Sequence, residues 1–98
     1  TQTVAAWQLS AEKWAQRIIG PLGNQLAQAQ RQRAHAVLVA NGDGSLRVSL
    51  RAPLAAPEGA GTLCARFGGG GRPKAAGIDA LPDGELAGFL AAFSAAYR

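Results

Sequence analysis

Ala36-Val37-Leu38-Val39-Ala40, Asn41-Gly42-Asp43-Gly44 and Ser45-Leu46-Arg47-Val48-Ser49-Leu50-Arg51 form the most informative stretch of this 98-residue chain. The first segment is apolar and β-branched enough for a strand. The second is a turn cluster, because Asn and Gly accept positive φ at low cost. The third alternates cleanly, with Leu46, Val48 and Leu50 on one face and Arg47, Ser49 and Arg51 on the other. Together they predict a β-hairpin. Pleating sets Arg47, Ser49 and Arg51 about 6.6–6.8 Å apart along a single face, which meets either solvent or an anion.

On the C-terminal side, Pro53–Pro57 reads as a loop and Ala60–Phe67 as a short helix with Leu63, Cys64 and Phe67 inward. Gly68-Gly69-Gly70-Gly71 follows, its first glycine in the place where helices usually stop. Ala75–Asp79 re-enters as a small-residue strand, and Pro82-Asp83 opens a last helix. There Leu86, Phe89, Leu90, Phe93 and Tyr97 fall on one core-facing stripe. On the N-terminal side, residues 3–9 read as extended. Ser10 offers an N-cap, with Glu12 in the first helical turn. Trp14, Ile18 and Leu22 predict a buried stripe. Gly20-Pro21 predicts a break or kink. A second helical run, Leu22–Arg33, would turn Leu22, Leu26 and Ala29 inward and end on Arg31 and Arg33.

The period changes at residue 34. The chain therefore divides into an N-terminal strand and helical segment, 1–33, and a hairpin, glycine-loop and C-terminal-helix core, 34–98. The fold class expected is α/β of the α+β type: one domain with a small mixed β-sheet packed with helices. A chain of this length buries a modest fraction of its surface, and it begins at Thr1 without Met, so a piece of a larger two-domain protein is expected.

Hydrophobic residues make up 48% of the sequence and charged ones 16%, which excludes a disordered charged tail. No apolar run approaches the ~18 residues of a membrane span, so no membrane partner is expected. One cysteine, Cys64, excludes an internal disulfide framework and favours a cytoplasmic setting. Ten Lys and Arg against six Asp and Glu give a net charge of +4. The distribution matters more: no acid lies between Glu12 and Asp43, nor between Glu58 and Asp79, and both intervals carry cations. Such stretches attract anionic partners, although a solvated basic face has the same composition.

No catalytic or metal-binding residue is expected in this chain. Its single histidine, His35, stands at the mouth of a strand with nothing to orient it and reads as partly exposed and structural. Cys64 reads as core filler. Hydrolytic metal centres need several converging Asp, Glu or His ligands, and no pair here has ligand-like spacing. The four glycines are the strongest positive signal. As a linker they would be out of place between two packed elements. Consecutive glycine N–H groups form concave anion nests, and Arg72 and Lys74 follow immediately. Gly69, Gly70, Gly71, Arg72 and Lys74 are thus candidate phosphate-binding residues, and the Arg47, Ser49 and Arg51 face of the hairpin is a second candidate surface for an anion. No Gly-Lys-Ser/Thr follows, so the run is not a Walker A loop.

The order of these motifs resembles the DHH-associated C-terminal domain of phosphoesterases named for an Asp-His-His motif. The features that carry the resemblance are Ser45–Arg51, a short helix ending in Phe67, and Gly68-Gly69-Gly70-Gly71-Arg72-Pro73-Lys74-Ala75-Ala76-Gly77. It covers roughly residues 36–79. It implies a substrate-gripping module, with Arg51 and Gly69 to Arg72 lining the grip and Ser49 supporting the same strand face. The bound partner would be a nucleotide, a short oligonucleotide or another phosphate ligand. The resemblance also implies an upstream DHH catalytic domain holding Mn2+ or a similar divalent metal, with phosphodiester hydrolysis performed by the full protein. Oligomerisation is compatible with it. The family usually has His after the glycines; here it is Arg72, which keeps a phosphate contact but supplies no proton or metal role. Ala52 stands where the family often has Ser. Two other readings remain at this point: a stand-alone nucleic-acid-binding domain, and a structural or dimerising domain whose glycines only permit close packing. Against the first, Trp7, Trp14 and Phe67 fall mostly on expected core stripes, as do Phe89, Phe93 and Tyr97.

Overall fold

A computed structural model of the chain describes residues 3–9 and 13–97. The expected cap at Ser10 and the Glu12 carboxylate lie outside the described residues. Five strands form one mixed sheet in the order β1-β2-β3-β5-β4. The strands are β1 (Val4–Leu9), β2 (Ala34–Ala40), β3 (Ser45–Arg51), β4 (Gly70–Gly71) and β5 (Ala75–Pro82). The helices are α1 (Lys13–Ala29), α2 (Ala60–Ala65) and α3 (Leu86–Ala96), the last entered through a 3-10 turn at Asp83–Glu85. The α+β expectation is therefore met in a single domain. Among the described residues no helix is long and apolar enough to cross a membrane.

The hairpin forms as its alternation requires. β2 pairs antiparallel with β3, Ala36 opposite Leu50 and Leu38 opposite Val48. The Asn41 amide donates to the Ser45 hydroxyl oxygen (2.9 Å) and to the Asp79 carbonyl (3.0 Å), pinning the turn to β5. Leu46, Val48 and Leu50 pack with Leu63, Cys64, Ile78, Leu81, Phe89 and Phe93 under α2 and α3. Each fully buried Phe or Leu there contributes about 1.5–3 kcal/mol relative to exposure. The opposite face holds a smaller cluster of Ala15, Ile19, Val37 and Val39, roofed by α1. β1 pairs parallel with β2, so residues 1–33 and 34–98 share one sheet, with α1 as the crossover.

Three N-terminal expectations are corrected. Pro21 does not break the helix; α1 runs through it. The preceding residue is Gly20, which has no Cβ to clash with the proline ring, so the α region stays open to it. The buried stripe is shifted by one residue. Ala15 and Ile19 are buried, while Trp14 (49% exposed) and Ile18 (38% exposed) face outward. Leu22 and Leu26 pack as expected and Ala29 is exposed. Ala15 and Ile19 are the α1 residues that pack with Val37 and Val39. Finally, the helix stops at Ala29, leaving Arg31 and Arg33 in the turn that leads into β2.

Candidate functional site

β3 carries Arg51 at its end, on the face that α1 covers. Gly23 of α1 faces this end of β3: a methyl group there would make ordinary van der Waals contact, 3.4 Å from Ser49 Oγ and 3.5 Å from Arg51 Cγ. The Arg51 fork is held by neutral acceptors. Nε donates to Asn24 Oδ1 (2.8 Å), Nη1 to Ser49 Oγ (2.9 Å) and to the Leu50 carbonyl (3.2 Å), and Nη2 to the Gly20 carbonyl (3.4 Å). Its position is fixed, and none of the described acceptors carries a compensating negative charge. Burial, and then the positive charge of Arg72, pushes the Arg51 guanidinium below the ordinary arginine value; arginine nonetheless stays charged at neutral pH.

The second half of the site is the corner between β4 and β5. Arg72 and Ala75 exchange backbone hydrogen bonds (2.9 and 3.3 Å), leaving Pro73-Lys74 as the turn. The turn carbonyls are tied inward: Lys74 O accepts from Ala52 N–H (3.0 Å) and Pro73 O from Ala60 N–H (2.9 Å). Because Arg51 pairs with Ala75 in the sheet, this corner sets Arg72 and Lys74 beside Arg51. A cleft of about 400 Å³ lies between them, walled by Asn24 and Gln28 of α1 and by Leu54. Among the described residues no carboxylate lines it. Three cations around an empty-charge cleft favour an anion, and Arg72 has the fork geometry for a phosphate.

The candidate residues divide. Arg51, Arg72 and Lys74 come together. Ser49 is buried beneath Arg51 as its acceptor. Arg47 is not at the cleft: its Nη1 reaches the Gln16 carbonyl (3.4 Å) and Gln16 Oε1 (3.5 Å) farther along α1. Gly69, Gly70 and Gly71 do not line it either. Gly68 N–H bonds to Ala65 O (3.3 Å) and Gly69 N–H to Cys64 O (2.9 Å), with Gly68 at φ +85°. This is the crossed pair of a Schellman helix stop. Gly70 and Gly71 form β4 against Gly77 and Ala76. The row of free amides an anion nest requires is absent at Gly68–Gly69, because α2's last carbonyls take them. What the glycines supply is close packing. A methyl at Gly69 would collide with the Gly77 carbonyl oxygen, and one at Gly71 would stand 2.6 Å from Ala76 Cα.

Asn24 and Gln28 were not among the sequence candidates. No local motif marks them, because which helix residues meet the end of β3 depends on how α1 crosses the sheet. His35 differs from expectation too. It is 1% exposed, its Nδ1 has no partner among the described residues, and burial followed by the Arg33 charge holds its pKa below 6.5. Its strand position sends it under the end of α1 rather than into solvent. Cys64 is buried in the main core, and burial pushes its thiol up to about 11. Among the described residues no three His, Cys, Asp or Glu side chains stand together as metal ligands would.

No protein-family model matches this chain, and no curated protein is significantly similar to it.

Proposed function

We propose that this chain is a phosphate- or nucleotide-binding domain of the DHH-associated type, with the Arg51–Arg72–Lys74 cleft as its grip. The observation that carries the reading is the meeting of three cations in a cleft that no carboxylate of the described residues lines. Two lie on the corner after the glycine run and one on the Ser-Leu-Arg strand, the two motifs on which the resemblance rests. The hydrogen bonds to Asn24 and Ser49 support it, since they hold Arg51 in place before a ligand arrives, which lowers the ordering cost of binding.

In this reading the domain immobilises a phosphate so that an adjoining DHH domain hydrolyses the ester. The metal that such a domain holds has no fitting ligand set among the residues described here, and no step in this chain runs through it. A stand-alone binding domain would use the same cleft. An Asp-His-His cluster encoded within a few hundred codons upstream supports the hydrolase partner, and an uninterrupted non-hydrolase context removes it.

Calorimetric titration with a short oligonucleotide tests the grip. Arg72→Ala and Arg51→Ala should each cost about 1–3 kcal/mol of binding, the range of charge-assisted contacts. Wild-type affinity in both variants would remove the site.

A further inference from the structure

Among the described residues three large apolar side chains are exposed: Trp7 (46%), Trp14 (49%) and Ile18. They share one flank. On β1, Trp7 has the parity of Leu9, which packs against the cluster under α1, and the opposite parity to Val4, which packs on the other side of the sheet. On α1, Gln16, Gly20 and Asn24 reach toward β3 through their hydrogen bonds with Arg47 and Arg51. Trp14 and Ile18 lie roughly 160° around the axis from Gln16, so they fall on the flank above β1. β1 itself is the end strand of the sheet.

Among the described residues the flank carries no negative charge. Neither Val4–Leu9 nor Lys13–Ala29 contains an Asp or Glu, and Arg17 is exposed between the two α1 residues. A purely apolar protein partner has no use for that cation, and a second copy would set one +4 body against another. A single-stranded nucleic acid matches both features. Its bases stack on indole faces, and its backbone pairs with an arginine. From Trp14 to Asn24 along α1 is about 15 Å, a span that a short oligonucleotide bridges and a single phosphate does not.

We propose that Trp7, Trp14, Ile18 and Arg17 form a stacking surface for single-stranded nucleic acid, a second subsite joined to the cationic cleft across the outer face of α1. It rests on the cleft reading only for the phosphate that anchors the strand.

Trp7 and Trp14 are the chain's two tryptophans, so intrinsic fluorescence reads the surface directly. Titration with a short single-stranded oligothymidylate should quench both. Trp7→Ala and Trp14→Ala should each weaken its binding about 5- to 150-fold, the range of one base stack. Binding of inorganic phosphate, read by calorimetry, should be unchanged in both. Absence of quenching, or wild-type oligothymidylate affinity in both variants, overturns the proposal. So does light scattering that shows a dimer which the tryptophan variants dissociate and oligothymidylate does not. If Arg72→Ala abolishes phosphate binding while oligothymidylate still quenches the tryptophans, both the cleft and the surface stand. If phosphate fails to bind the wild type and quenching persists, the surface stands and the cleft reading falls.

Discussion

Arg51 Nε lies 2.8 Å from Asn24 Oδ1, and this contact ties the end of β3 to α1 at the cleft wall. Asn24 holds the guanidinium without neutralising it. Two substitutions separate these roles. Asn24→Ala leaves Arg51 less ordered and should lower phosphate affinity by about 0.5–1.5 kcal/mol. Asn24→Asp places a carboxylate against Arg51; it should raise thermal stability slightly while lowering phosphate affinity more than Asn24→Ala does. Equal affinity in the wild type and Asn24→Asp would show that the charge on Arg51 is not what an anion meets.

The glycine run makes a contrasting pair of predictions. Gly69→Ala drives a methyl into the Gly77 carbonyl and to 2.8 Å from Ile78 Cγ1, whereas Gly70→Ala meets nothing within 4 Å. Denaturant unfolding should show Gly69→Ala destabilised by about 2–4 kcal/mol and Gly70→Ala within about 0.5 kcal/mol of wild type. Equal effects would contradict the packing role.

His35 sets a pH dependence. Its folded pKa lies below 6.5 because of burial and then the nearby Arg33 charge. As pH falls, the unfolded chain therefore binds a proton first. Folding stability should drop as pH falls from about 7 through 6.5 and should level off below the folded pKa, at about 1.4 kcal/mol for each unit of depression. Urea midpoints at pH 7.5 and pH 5 check this, above the range where Asp43, itself held below 3.8 mainly by the Ser45 hydroxyl, begins to protonate. A flat profile would mean that His35 is not buried as a neutral ring.

Cys64, with a thiol raised to about 11 and no exposed surface, should not react with a thiol reagent such as Ellman's at neutral pH until the protein unfolds. Rapid labelling of the native protein would contradict the core placement.

The hairpin, α2 and α3 were legible because their residues carry unambiguous periods: two for Ser45–Arg51, and the 3.6 repeat of Leu86, Phe89, Leu90 and Phe93. α1 was misread in phase, since Trp14 and Ile18 repeat as regularly as Ala15 and Ile19 and outweigh them in apolar bulk. Only the way α1 lies on Val37 and Val39 decides between the two. At the site, Arg51, Arg72 and Lys74 could be paired in advance because strand parity and the corner after the glycines are local. Asn24 could not, since its meeting with Arg51 depends on how a helix crosses a sheet across 27 residues of chain. The glycines were visible, but sequence does not say whether bare backbone faces a ligand or another strand; here it faces β5.

Backbone amide NMR of the wild-type chain titrated with inorganic phosphate addresses the cleft most directly. Saturable shifts should concentrate at Asn24–Gln28, Arg51–Ala52 and Arg72–Ala75 and should vanish in Arg72→Ala. Shifts confined to Gly68–Gly71, or none at all at millimolar phosphate, would contradict a cationic cleft built from the strand end and the β4–β5 corner.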